Sequence, residues 1–152
     1  RGETLSERVR ESGPIPPEEV LAIASSLLDV LDFLHGHGVV HRDVKSGNVF
    51  LEGSGRVVLM DLGLAGDLVD PLTTTLGDVM GTFAYMAPEQ KGDSPGNDHR
   101  ADVYALGVVL YEMLTGKVVF GDGDVMTRQV KEMPPKLGDL VEGLPEGLAD
   151  IA

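Results

Sequence analysis

Apolar residues recur at helical spacing along residues 20–34, at Val20, Leu21, Ala24, Leu27, Leu28, Leu31 and Leu34, and this predicts one long amphipathic helix. Pro16 and Pro17 stand where a first turn tolerates proline, and Glu18 and Glu19 suit the positive end of the helix dipole. The helix should stop at Gly36 or Gly38, which makes His35 and His37 helix-end residues with no second ligand at metal spacing. A shorter helix is expected over residues 4–11, with Leu5 and Val9 on one side, closed by Ser12-Gly13-Pro14. Residues 49–51 and 56–60 are rich in β-formers and joined through Gly53-Ser54-Gly55, the pattern of a hairpin rather than of a phosphate-binding glycine loop. Residues 100–115 are apolar on most faces and predict a buried helix, with Asn97 and Asp98 as candidate caps and Gly116 as its stop. An amphipathic stretch over 124–133 and a helix starting after Pro145 complete the pattern. Between Asp61 and Glu89 periodicity is lost, and a connection of that length is either functional or misassigned.

The polar cluster His41-Arg42-Asp43-Val44-Lys45-Ser46-Gly47-Asn48 interrupts this pattern directly after the long helix and directly before the hairpin. One acid, two fixed cations and an amide in eight residues are too polar for a core strand. The hairpin that follows returns the chain to the same end at Asp61, so two acids 18 residues apart in sequence meet in space. At 152 residues the chain fits one domain, residues 1–152. Its 12 basic and 25 acidic residues give a net charge of −13, which argues against nucleic-acid or anionic-membrane binding. With no cysteine there is no disulfide framework and no thiol chemistry. The most apolar region, around residues 103–111, is far short of the ~20 residues a spanning helix needs. The opening at Arg1, with no charged-then-apolar leader, reads as part of something longer.

The cluster resembles the H-R-D-L-x-x-x-N catalytic loop of the protein kinases, with Val44 for Leu. Asp61-Leu62-Gly63 is similar to the family's Asp-Phe-Gly, and residues 81–89, ending Ala87-Pro88-Glu89, are similar to its peptide-positioning segment. The resemblance runs from Gly2 to Leu148, and Lys45 with Gly81-Thr82 matches the Hanks-type serine/threonine branch. It implies an α+β, mostly α fold: a kinase C-terminal lobe with a small catalytic-loop hairpin, the N-terminal lobe absent. It implies ATP and Mg²⁺ as cofactors, and transfer of the γ-phosphoryl group to Ser/Thr hydroxyls of a protein substrate. Asp43 would be the base, Lys45 the γ-phosphate contact, Asn48 and Asp61 the metal ligands, and Phe50 the floor under adenine. Thr82 would bond Asp43 and Lys45, and Asp102 would hold the loop backbone, although a first-turn helix acid is an equally good reading of Asp102. Arg42 before the acid implies regulation by phosphate on Thr73, Thr74 or Thr75. The missing lobe would act in cis, and without it residues 1–152 are expected to be inactive. A small-molecule phosphotransferase and a pseudokinase or scaffold lobe are the alternatives. The expected location is the cytoplasm, or the cytoplasmic side of a membrane for a tethered parent.

Overall fold

The computed structural model describes residues 2–62, 81–91, 98–145 and 147–148. Strand β1 (Gly2–Thr4) leads directly into helix α1 (Leu5–Ser12). The handover is a capping box, in which Thr4 Oγ1 accepts from the Glu7 amide at 3.2 Å and Glu7 Oε2 accepts from the Thr4 amide at 2.8 Å. The Thr4 amide first, and the Thr4 hydroxyl after it, hold the Glu7 carboxyl below its ordinary pKa. β1 pairs antiparallel with β2 (Val49–Glu52), and β2 with β3 (Val57–Leu59), in the order β1-β2-β3. Its three residues, Gly-Glu-Thr, carry no alternation, so only the partner strand reveals it as a strand.

Helix α2 (Pro17–Gly36) buries Val20, Ile23, Ala24, Leu27 and Leu31. The expected apolar face is corrected here: Leu21 and Leu28 are 43% and 52% exposed, and Ile23 takes their place. Seven residues apart, Leu21 and Leu28 share a stripe of their own, about 100° round from Val20 and Leu27 and away from the core. The buried face packs on α3 (Arg100–Thr115), whose Ala105, Leu106, Val109, Leu110, Met113 and Leu114 are covered. A helix buried on most sides forms the centre of a domain rather than its surface. Gly116, at φ 74°, ends α3 by returning its amide to the Glu112 carbonyl at 2.8 Å, a left-handed conformation that favours glycine. α4 (Val125–Lys131) follows, capped by Asp124, whose side chain accepts from the Thr127 amide. α5 (Leu137–Leu140) was not anticipated, because a single turn offers no periodicity to read; its Leu137 is fully buried. The helix expected after Pro145 falls largely outside the described residues.

Candidate active site

The polar loop is held from below by one carboxylate. Asp102, 1% exposed in the first turn of α3, accepts from the amides of His41 (Oδ2, 2.8 Å) and Arg42 (Oδ1, 2.8 Å). Nε2 of His35, at the end of α2, lies 2.8 Å from the same Oδ2. Asp102 is thus more than a helix-dipole acid: its oxygens take up two backbone donors of a loop that forms no ladder. His35 is more than a helix-end residue, and this corrects the sequence reading; only the fold brings it to an acid 67 positions away.

Arg42 adopts φ 67° and Asp61 φ 54°, left-handed values that cost a non-glycine residue of the order of 1–2 kcal/mol. Such backbone persists where the surroundings over-determine it. At Arg42 the determinant is the bond to Asp102. Next to Asp61, the Met60 amide donates to the Asn48 carbonyl at 2.7 Å and the Met60 carbonyl accepts from His41 Nε2 at 3.1 Å. With Nε2 donating, Nδ1 of His41 is the acceptor for the Asp43 amide at 3.3 Å, which fixes the tautomer of this fully buried ring. Through this ring and the β2–β3 hairpin, Asp61 is set one residue from the partner of Asn48.

On this frame Asp43 Oδ2 accepts from Asn48 Nδ2 at 2.8 Å and pairs with Lys45 Nζ at 2.9 Å. Asn48 Nδ2 also donates to the Asp43 carbonyl at 2.8 Å, which leaves its Oδ1 without a partner among the described residues. Lys45 Nζ donates to Thr82 Oγ1 at 3.2 Å, so the loop is bonded to the 81–91 segment. Of the residues singled out in the sequence, Asp43, Lys45, Asn48 and Thr82 are therefore joined by hydrogen bonds and one ion pair, and Asp61 stands at the hairpin end beside them. Phe50 is half-buried on β2 opposite Val58, with its ring against Gly2, where a Cβ would approach to 2.6 Å. Arg42 has an exposed side chain, while Gly63 and the threonines Thr73, Thr74 and Thr75 lie outside the described residues.

A second cluster went unread in the sequence. Ser46 Oγ donates to Glu112 Oε1 at 3.1 Å, Tyr85 OH donates to Glu112 Oε2 at 2.7 Å, and the two hydroxyls are 3.0 Å apart. All three residues are buried, and together they tie the polar loop, the 81–91 segment and α3. Burial pushes the Glu112 carboxyl up, and its two hydroxyl donors only partly oppose this. Burial first, then the nearby Glu112 charge, pushes the Tyr85 phenol up as well. The available signal was a glutamate inside the run Leu110-Tyr111-Glu112-Met113-Leu114, a charge that a buried helix must satisfy.

Comparison with known proteins now bears on this geometry. The protein kinase domain family matches residues 1–140. Serine/threonine-protein kinase PknB of Mycobacterium leprae is 40% identical over 148 residues, which cover 94% of this chain and 24% of that protein. Serine/threonine-protein kinase PknL of Mycobacterium tuberculosis is 39% identical over 148 residues, covering 95% and 37%. PknB of Mycolicibacterium smegmatis is 41% identical over 139 residues, covering 88% and 22%. The chain therefore spans about a quarter to two fifths of the length of these relatives. A loop of acid, lysine and asparagine on a buried helix, with a family match across most of the sequence, leads to one assignment: the chain belongs to the protein kinase family.

Proposed function

We propose that this chain is the C-terminal lobe of a Hanks-type serine/threonine protein kinase, which transfers the γ-phosphoryl group of ATP to Ser/Thr hydroxyls of proteins. The observation that carries the reading is the Asp43–Lys45–Asn48 cluster joined to Thr82. Asp43 would receive the proton of the acceptor hydroxyl. Lys45, held by Asp43 and Thr82, keeps a cation beside the acid, where transferred phosphate charge needs screening. Asn48 uses its amide nitrogen to orient Asp43, and its free Oδ1 together with the Asp61 carboxylate offers hard oxygens of the kind Mg²⁺ takes. Among the described residues no group of three or more His, Cys, Asp or Glu could hold a metal. Two protein ligands supplemented by nucleotide phosphates and water is the usual arrangement for Mg²⁺. When bound, Mg-ATP supplies the phosphoryl group and neutralises its charge. Phe50 would lie under the adenine, and Arg42 would receive a phosphate on Thr73, Thr74 or Thr75. The lobe that covers the phosphates would come from residues outside this chain, so residues 1–152 alone would not catalyse transfer. No helix among the described residues is long and apolar enough to cross a membrane. Separately, use of ATP supports a cytoplasmic location, or the cytoplasmic side of a membrane for a tethered parent.

The test is Mg²⁺-dependent nucleotide binding by the two-lobed parent, measured by calorimetry. Asp61→Ala should weaken ATP affinity about ten-fold or more in Mg²⁺ and change it little in EDTA, with Asn48→Ala following the same pattern. Equal affinities for wild type and both variants in Mg²⁺ would remove these residues from the cofactor site.

A further inference from the structure

Gln129 lies on α4, 46 residues beyond Phe83, and nothing in the sequence pattern marks it. Its side chain is buried, at 9% exposure, and its amide nitrogen donates to the Ala84 carbonyl at 2.9 Å and the Phe83 carbonyl at 3.3 Å. These carbonyls directly follow Thr82, whose hydroxyl accepts from Lys45. Beside them opens a cleft of about 500 Å³, lined among others by Lys45, Ser46, Thr82, Ala84 and Tyr85. The polar loop forms one side of that cleft and the 81–91 segment, including Ala84 that Gln129 holds, forms another, with Ser6, Val118 and Gly121 completing the lining.

The anchor is itself fixed from elsewhere. Asp124 caps α4 through the Thr127 amide at 3.1 Å, and bonds from Thr127, its hydroxyl first and its amide second, hold the Asp124 carboxyl below its ordinary pKa. Arg128, the neighbour of Gln129, stands 5.4 Å from the Phe120 ring centroid, donates to the Asp122 carbonyl at 3.1 Å and pairs with Glu132 at 2.9 Å. α4 is thus attached to the loop after α3, and Gln129 reaches from it across to the 81–91 segment. A primary amide suits this task, since its NH₂ group carries two N–H donors and can serve both carbonyls at once.

We infer that Gln129 is a positioning residue for the protein substrate: it sets the backbone at Phe83 and Ala84 as the wall along which the acceptor chain lies. This rests on the kinase reading above. Because the carbonyls it holds belong to the 81–91 segment and not to the residues assigned to the metal, its removal acts on the protein substrate and leaves nucleotide handling alone. Asp43, Asn48 and Asp61 have no bond to it.

The experiment uses the two-lobed parent with a protein substrate that the wild type phosphorylates. Gln129→Met keeps the length and removes the donor; Gln129→Glu, isosteric with the native side chain, sets a carboxylate against two carbonyls and serves as second variant should the first not fold. Gln129→Met should raise KM for the protein substrate about ten-fold, and Gln129→Glu by more, while KM for ATP and the rate of substrate-free ATP hydrolysis stay within about two-fold. An unchanged protein-substrate KM in the folded variants would overturn the inference. So would a parallel change in KM for ATP and in hydrolysis, which would mark Gln129 as a general packing residue. Absence of transfer by the wild type would instead fail the kinase reading itself.

Discussion

On the proposed reading, Asp43→Asn in the two-lobed parent is expected to lower kcat by roughly 10²- to 10⁴-fold, with the dissociation constant for Mg-ATP changed by no more than about two-fold. The substitution is close to isosteric. An asparagine Oδ1 in the place of Oδ2 can still accept from Asn48 Nδ2, at 2.8 Å in the native protein, and from Lys45 Nζ, at 2.9 Å. The local geometry therefore survives, and what is lost is a negative group able to take a proton. At about 1.4 kcal/mol per factor of ten, the expected loss is roughly 3 to 6 kcal/mol of transition-state stabilisation. Nucleotide affinity is expected to be spared because the proposed metal ligands, Asn48 Oδ1 and Asp61, are left in place. Turnover equal to wild type would take Asp43 out of the chemistry.

Asp102→Ala is expected to cost about 3–5 kcal/mol of stability, read from the denaturant midpoint of the parent's kinase domain. The carboxylate is buried and holds His41, Arg42 and His35 within 2.8 Å. Alanine leaves two backbone amides and one imidazole nitrogen without their acceptor, in a site too covered for water to replace it freely. It also removes what offsets the left-handed backbone at Arg42. Against a typical total of 5–15 kcal/mol this is a large share, so activity should fall with the folded fraction. Asp102→Asn keeps one acceptor oxygen and should cost less. A shift below about 1 kcal/mol for Asp102→Ala would mean that the loop is held by other contacts.

Much of this architecture is legible in the sequence, and the illegible parts share a cause. The long helices announce themselves because burial imposes a 3.6-residue period, as at Val20, Ala24, Leu27 and Leu31. Asp43, Asn48 and Asp61 stand out because two acids and an amide at fixed spacing are not needed to build a core. β1 and α5 were missed because three or four residues cannot display a period. Leu21 and Leu28 were misplaced because periodicity fixes which residues share a stripe but not which stripe meets the partner helix. His35 with Asp102, Ser46 with Tyr85 and Glu112, and Gln129 with Phe83 and Ala84 are pairings across 27 to 67 positions. Each is a polar residue whose role exists only once tertiary packing has chosen its partner, so no local pattern encodes it.

The measurement that tests the central claim most directly is phosphoamino-acid analysis of a basic protein after incubation with the two-lobed parent and γ-labelled Mg-ATP, run beside Asp43→Asn. The account predicts label on serine or threonine with the wild type and label reduced by two or more orders of magnitude with the variant. Label only on tyrosine, no label from an ATP-binding wild type, or equal labelling by Asp43→Asn would contradict it.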